Sequence, residues 1–404
     1  MRRFLSLTLS LCFMFIFSLS VSAAEKTVSS ECDITDLEVP LSETVETSAV
    51  GTVLDIKAKS AVLLEPNTGK ILYEQNADEP LPPASITKIM SLLLVMEALD
   101  RGDFDLETVV NASEHACSMG GSQIWLEPGE GMTVHDLLKA TVIASANDAC
   151  VALGELVAGS EEGFVELMNS RAKELGMNST TFKNCTGLDA EGHITTANDV
   201  AIMSGELIKH DLIKDYSTVW MDTLRDGKSE LVNTNKLVRF YKGTTGLKTG
   251  TTSVAKYCLS ATAEREGLSL VAVVMAGETS TDRFEGAKKL LDFGFANFSF
   301  SQIGAELRET EIPVLKGEKK TLKIKATEEL SLLAQKSAKN DIKRETEWNK
   351  NITAPIKKGQ TVGYVNIYNG EENIGKIPIK ATESIKQRTF GLSFGKILKG
   401  LFKI

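Results

Sequence analysis

Histidine and cysteine are scarce in this 404-residue chain, with four and six copies, and neither is spaced for metal chemistry. His115, His135, His193 and His210 form no His-Glu-x-x-His, which argues against a zinc peptidase. The cysteines lack any Cys-x-x-Cys pair or zinc spacing. No metal or other cofactor is expected. The histidines read as structural or surface residues, and most of the cysteines as small buried side chains. An excess of basic charge is also missing. Lys and Arg total 45 against 54 Asp and Glu, a net charge of −9. Nonspecific nucleic-acid binding therefore has no electrostatic footing.

A long apolar run occurs at the N-terminus. Arg2 and Arg3 precede Phe4 to Val21, and Ser22, Ala23 and Ala24 follow. A basic start, a hydrophobic stretch and small residues make a signal peptide over residues 1–24, cleaved after Ala24 or Ala23, with an uncleaved anchor as the alternative. The rest is expected to be exported, to the outer face of the cytoplasmic membrane. Cys12 lies in the leader. Cys32, Cys117, Cys150, Cys185 and Cys258 remain, an odd number that cannot all pair within one chain.

Length and texture divide the remainder. Residues 25–50 are polar and acidic, a flexible lead-in. SAVLLEPNTGKILYEQN reads as two strands around Asn67-Thr68-Gly69. Residues 105–210 carry helical spacing. MTVHDLLKATVIASAND reads as one helix, capped by Thr133 and buried along Val134, Leu137, Leu138 and Val142. From Thr245 the period shortens to two or three strands with a hairpin at Glu266-Gly267, and a helix follows over about 282–295. Strands, then helices, then strands and a helix make an α+β domain over 51–300. Short alternating strands with Lys- and Gly-rich turns suggest a small all-β domain over 306–385.

The end, 386–404, differs again. Phe390, Phe394, Ile397, Leu398 and Leu401 share one helical side, away from Lys396, Lys399 and Lys403. With five basic and no acidic residues in KQRTFGLSFGKILKGLFKI, it reads as an amphipathic helix lying on an anionic membrane surface. A terminal helix packed on the β domain is the alternative.

The chemistry centres on PPASITKIMSLLLVMEAL. Pro83 suits a first helical position, and Ser85 and Lys88, three apart, share a helix face. Alone this spacing is a weak signal, since it recurs at Ser170/Lys173, Ser253/Lys256 and Ser393/Lys396. Two further signatures follow in order: Ser145-Ala146-Asn147 and Lys248-Thr249-Gly250. Neither pattern occurs elsewhere in the chain. Acyl transfer from an amide needs a nucleophile, a base, an oxyanion site and an acid for the leaving amine. Ser85 offers the hydroxyl. Lys88 can take its proton when neutral, a state favoured by burial and by Lys248 nearby. Ser145 can relay a proton to the leaving amine, and Asn147 can hold a substrate amide. Lys248 and Thr249 suit a carboxylate. Gly250 allows close approach to the strand, and the backbone N–H groups of Ser85 and Thr251 can form an oxyanion hole.

Ser-x-x-Lys, Ser-x-Asn and Lys-Thr-Gly in this order resemble the penicillin-binding proteins and serine β-lactamases. LEPNTGKILYEQNADEPLPPASITKIM, TVIASANDACVALGE, LGMNSTTFKNCTGLD and GLKTGTT look like the low-molecular-weight penicillin-binding proteins that are serine-type D-alanyl-D-alanine carboxypeptidases. The resemblance spans roughly 51–300. It implies a β-lactamase/transpeptidase-like catalytic domain, an antiparallel sheet with helices, followed by the small β domain. It further implies removal of terminal D-alanine from peptidoglycan stem peptides ending in D-Ala-D-Ala, and covalent inhibition by β-lactams. It places Arg283 near the substrate carboxylate, with a surface helix-start arginine as the alternative. Position 234 is Thr where some members carry a basic residue. A D,D-endopeptidase would use the same machinery. A class A β-lactamase is disfavoured because VELMN at 165–169 is mis-spaced for Glu-x-x-Leu-Asn. A non-catalytic penicillin sensor is disfavoured by the intact Ser85 and Lys88.

Overall fold

The computed structural model describes residues 54–337, 341–391 and 394. The leader over 1–24, the lead-in over 25–50, Cys32 and most of the 386–404 tail lie outside the described residues.

The strand β1 (Ser60–Glu65) is buried at every position. A strand apolar on both faces needs cover on both sides, so SAVLL belongs inside a sheet. It turns back through Asn67-Thr68-Gly69 into β2 (Lys70–Gln75). A tight turn over 84–87 then leads into α1 (Lys88–Arg101), which ends at Gly102 in the left-handed region. As the spacing predicts, helices account for most of the regular structure over 105–210. The elements are β3 (Val109–Asn111), α2 (Glu114–Cys117), β4 (Gly131–Thr133), α3 (Val134–Lys139), α4 (Asn147–Ala158), α5 (Glu161–Glu174) and α6 (Ala197–Leu207). Thr133, Ser160 and Thr196 each accept a hydrogen bond from the backbone N–H three residues on, capping α3, α5 and α6.

The single helix expected over MTVHDLLKATVIASAND is two helices. After α3 the chain widens into one π-helical turn over 140–144, and Ser145 takes φ 63°. A left-handed residue cannot continue the hydrogen-bond ladder, so a new helix starts at Asn147. Val134, Leu137, Leu138 and Val142 are nonetheless all buried.

Next come α7 (Lys214–Ser217), the hairpin of β5 (Met221–Leu224) and β6 (Ser229–Val232), and α8 (Leu237–Phe240). Three long strands follow: β7 (Thr244–Thr252), β8 (Lys256–Arg265) and β9 (Leu268–Gly277). The β8–β9 turn is Glu266-Gly267 with φ 52° and 78°, the left-handed pair that a tight two-residue hairpin requires. The last helix of the domain, α9 (Ser280–Asn297), starts in a reciprocal cap between Thr279 and Asp282.

The sheet order is β2-β1-β9-β8-β7, and all its pairings are antiparallel. On one face Leu63, Leu259, Leu270 and Val274 pack with Phe284, Ala287, Leu290 and Leu291 of α9. On the other, Val62, Leu64, Val271 and Val273 meet the helices between β2 and β7. Each fully buried leucine or valine contributes roughly 1.5–3 kcal/mol, so the doubly covered strands are the rigid frame on which the site is mounted.

Beyond Asn297 lie β10 (Phe298–Gly304), β11 (Thr310–Pro313), β12 (Thr321–Lys325), β13 (Glu329–Gln335), β14 (Ile342–Trp348), β15 (Thr361–Asn369) and β16 (Glu372–Ala381). β10 pairs with β13, and the others form a sheet in the order β11-β12-β16-β15-β14. This is the all-β region expected from the sequence. Pairing begins at Phe298, before 306, and continues past 385, where Gln387 bridges to Gly317. Lys386 and Gln387 therefore belong to the β region rather than to a separate tail.

Candidate active site

Ser85 sits in the turn that precedes α1, between Ala84 at φ 50° and the wholly buried Ile86 and Thr87. A left-handed alanine is strained, and it persists only where its surroundings hold it. Two glycines close on this turn. A Cβ on Gly187 would lie 1.8 Å from the Ala84 carbonyl oxygen. One on Gly250 would lie 3.0 Å from the Ser85 nitrogen and 2.9 Å from the Pro83 carbonyl oxygen. Gly250 thus lets β7 pack against the Ser85 turn.

Lys88, the first residue of α1, is fully buried. Its Nζ lies 3.3 Å from Ser85 Oγ, 2.5 Å from Asn147 Oδ1 and 2.7 Å from the Thr186 carbonyl oxygen. Burial lowers its pKa, against weaker opposing pulls from Cys150, Cys185 and Asp148. Asn147 is committed to this arrangement, since its Nδ2 donates to the Gly120 carbonyl at 2.6 Å. Its side chain thus bridges Lys88 and the 120–126 segment. Ser145, at the break before α4, is 4% exposed, and its hydroxyl has no hydrogen-bond partner among the described residues. The 120–126 segment is pinned beside them. Asn147 N–H donates to the Ser122 carbonyl, and the buried Asp148 carboxylate accepts from the N–H groups of Ile124 and Leu126.

The third signature lies on β7. Lys248 is 1% exposed, and its Nζ meets the Thr249 carbonyl at 3.1 Å. Burial pushes its pKa well below the usual range, and the cations Lys88 and Arg283 push it further. Thr249 Oγ1 donates to Thr234 Oγ1 at 2.7 Å, so the threonine noted at position 234 touches the site through a neutral hydroxyl.

Arg283 corrects one of the two alternatives read from the sequence. It is not a surface arginine, being 8% exposed. Its Nη1 donates to the Gly250 carbonyl at 3.0 Å, Thr251 Oγ1 at 2.9 Å and the Cys258 carbonyl at 3.3 Å. It braces the end of β7 from α9.

Several participants were invisible to the motifs. Thr186 acts through its backbone carbonyl. His193 sits 3% exposed with Nε2 2.9 Å from Thr87 Oγ1, while its Nδ1 accepts from the Lys183 N–H at 3.3 Å. Nδ1 is therefore the acceptor and Nε2–H the donor. The segment LGMNSTTFKNCTGLD contains Thr186 and Gly187 and ends four residues before His193, but nothing in their spacing announces a role. His115, His135 and His210 pair with Glu161, Tyr216 and Asp100 away from this cluster. Cys150, Cys185 and Cys258 are buried free thiols, as expected of small core residues, and Cys117 is half-buried and free.

A strained serine turn, a buried lysine one turn on and a Lys-Thr-Gly strand closing against it, all on an antiparallel sheet between helices, define a serine acyl-transfer enzyme of the penicillin-binding type. Residues 44–279 match the D-alanyl-D-alanine carboxypeptidase family, and residues 295–387 match the C-terminal domain of penicillin-binding protein 5. The chain is 46% identical over 339 residues to the D-alanyl-D-alanine carboxypeptidase DacF of Bacillus subtilis, covering 83% of this chain and 87% of that protein. It is 34% identical to DacC of Escherichia coli over 95% of this chain and 92% of the other. Among solved structures, penicillin-binding protein 5 from Haemophilus influenzae superposes with a TM-score of 0.68 at 31% identity, covering 83% of this chain and 99% of its own. The chain belongs to the D-alanyl-D-alanine carboxypeptidase family.

Proposed function

We propose that the chain removes the terminal D-alanine from peptidoglycan stem peptides ending in D-Ala-D-Ala, through an acyl-enzyme on Ser85. The observation that carries this reading is the wholly buried Lys88 Nζ, 3.3 Å from the Ser85 hydroxyl. With Lys88 neutral, Ser85 Oγ attacks the carbonyl of the penultimate residue and its proton passes to Nζ. The oxyanion faces the Ser85 and Thr251 N–H groups. Collapse breaks the C–N bond, and the proton reaches the departing amine by way of Ser145. Water then adds to the ester as its proton passes to Lys88; the acyl C–O bond breaks, Lys88 returns that proton to Ser85 Oγ, and the shortened peptide leaves. Lys248 and Thr249 hold the substrate carboxylate. A buried ammonium facing only a carbonyl is incompletely paired, and an incoming anion completes it. A β-lactam enters by the same attack and stays as the ester.

Export and membrane attachment belong to the same proposal. They rest on the 1–24 leader and on the basic tail, where Phe390 and Phe394, 84% and 51% exposed, stack at 5.9 Å. The test of the activity is twofold. A fluorescent penicillin must label the wild type and not Ser85→Ala, and free D-alanine must appear from a pentapeptide ending in D-Ala-D-Ala. A Ser85→Ala variant with full activity ends the assignment.

A further inference from the structure

The Thr186 carbonyl that faces Lys88 Nζ at 2.7 Å comes from a segment without regular structure, so something other than a backbone ladder must aim it. The N–H groups of Phe182, Lys183, Cys185, Thr186 and Gly187 all donate to side chains. Two of these bonds, from Thr186 at 3.2 Å and from Gly187 at 2.7 Å, go to one atom, Asn184 Oδ1. The same oxygen accepts from Thr186 Oγ1 at 3.2 Å, and Asn184 Nδ2 donates to the Leu188 carbonyl at 2.9 Å. One half-buried amide therefore closes the turn over 184–188.

Covalent geometry links that turn to the base. The Thr186 carbonyl and the Gly187 N–H belong to one trans, planar peptide, so they point in opposite directions and turn together. The carbonyl end receives Lys88 Nζ, and the N–H end is held by Asn184. A Cβ on Gly187 would lie 1.8 Å from the Ala84 carbonyl oxygen, so this end of the peptide has no room to shift toward the Ser85 turn. At the other end Cys185 is tied to α5 and α1. Its N–H donates to Glu161 Oε1 at 3.1 Å, and its carbonyl accepts from Ser91 Oγ at 2.7 Å. The freedom left to the Thr186–Gly187 peptide is rotation about its own Cα–Cα axis, and the bond to Asn184 resists it.

We propose that Asn184 is a positioning residue for acyl transfer: by holding the Gly187 N–H it aims the Thr186 carbonyl at Lys88 Nζ, and so keeps the base on the Ser85 hydroxyl. It touches neither substrate nor the reacting atoms. An N–H already engaged by an acceptor also polarises its own carbonyl, which makes the Thr186 oxygen a better acceptor for the lysine. The proposal rests on the acyl-enzyme reading, with Lys88 as its base, and names a residue outside the three signatures that fixes that base in place.

The experiment uses the full chain. It measures the second-order rate of penicillin acylation against pH, and kcat and KM for D-alanine release from a pentapeptide ending in D-Ala-D-Ala. Asn184→Ala is expected to slow acylation about tenfold, the lower part of the range for a lost hydrogen bond to a charged group. kcat falls with it while KM stays within about twofold, because the substrate contacts are intact. The alkaline-going rise of the acylation rate moves to lower pH, since the ammonium loses one acceptor. Asn184→Asp keeps the acceptor for the Gly187 N–H, so its rate recovers to within about threefold of the wild type. Its added negative charge moves the rise to higher pH instead. Cys150, Cys185, Asp148 and Lys248, the other groups whose charge acts on Lys88 or answers to it, are the same in all three proteins. Thermal melting checks the fold, and if Asn184→Ala does not fold, the direction of the shift in Asn184→Asp decides. Wild-type rates in Asn184→Ala, an unmoved pH profile in either variant, or an Asn184→Asp as slow as Asn184→Ala overturns the positioning role while leaving the carboxypeptidase standing. A wild type that penicillin does not label overturns the acyl-enzyme reading, and the role of Asn184 with it.

Discussion

Asn147 Oδ1 lies 2.5 Å from Lys88 Nζ, closer than the 3.3 Å that separates the same nitrogen from Ser85 Oγ. The second signature thus acts on the first, holding the lysine by a hydrogen bond that favours its charged form.

Asn147→Ala removes that acceptor. Acylation by penicillin is expected to slow by roughly 10- to 150-fold, the range of 1.5–3 kcal/mol for a hydrogen bond to a charged group. The pKa of Lys88 falls further, because the amide oxygen no longer stabilises the ammonium. The alkaline-going rise of the acylation rate should therefore move to lower pH. A slower variant with an unmoved pH profile would show that Asn147 acts on substrate alone.

Lys248→Gln tests the carboxylate site. The wild type should strongly prefer a free C-terminal carboxylate over the C-terminal amide of the same peptide. In the variant the preference should collapse, mostly through loss of carboxylate turnover. Retention of the preference, measured as a ratio of kcat/KM values, would place carboxylate recognition elsewhere.

Arg283→Ala leaves the carbonyls of Gly250 and Cys258 and the Thr251 hydroxyl without their shared donor. A cost of about 1–3 kcal/mol in unfolding free energy is expected for such buried groups. Deacylation and acylation should both slow, because Thr251 N–H moves with the strand. Full penicillin reactivity in a destabilised Arg283→Ala would confine the residue to folding.

His193 makes stability depend on pH. Burial lowers its pKa from the ordinary 6.5 to about 4, with smaller contributions from Asp189, which raises it, and Lys183, which lowers it. Between those values the unfolded chain binds the proton that the folded chain refuses. Stability is therefore full above pH 6.5 and declines as pH falls toward 4, by up to about 3 kcal/mol. Denaturant unfolding of the wild type and His193→Gln across this range should show a shallower slope in the variant. Parallel curves would remove His193 as the source.

The legible parts of the chain were those where side-chain type and spacing carry the information. The three-residue step from Ser85 to Lys88 places both on one side of a turn, whether that turn is α or tighter. SAVLL and LVAVV read as strands because a run apolar on both faces needs a covered sheet, and Glu266-Gly267 could hardly be anything but a hairpin. What stayed hidden depends on backbone. Ser145 breaks a helix through a left-handed conformation that its side chain does not advertise. Thr186 contributes a carbonyl, which any residue would supply. Gly187 and Gly250 matter for atoms they lack, and the partner that demands this is far away in sequence. The burial of Arg283 and its bonds to the end of β7 were also hidden, because a motif carries no information about the direction of a guanidinium.

The three contacts of Lys88 carry one further consequence. A neutral amine keeps one lone pair and an ammonium none, so the Ser85 contact serves the proposed reaction only when Lys88 is neutral. The proposed attack then needs the Ser85 hydroxyl as the donor in that contact. The longest of the three contacts, to Ser85, is the one in which the hydroxyl can point its hydrogen at the amine. Asn147 and the Thr186 carbonyl then hold the two amine hydrogens and aim its lone pair at the Ser85 hydroxyl.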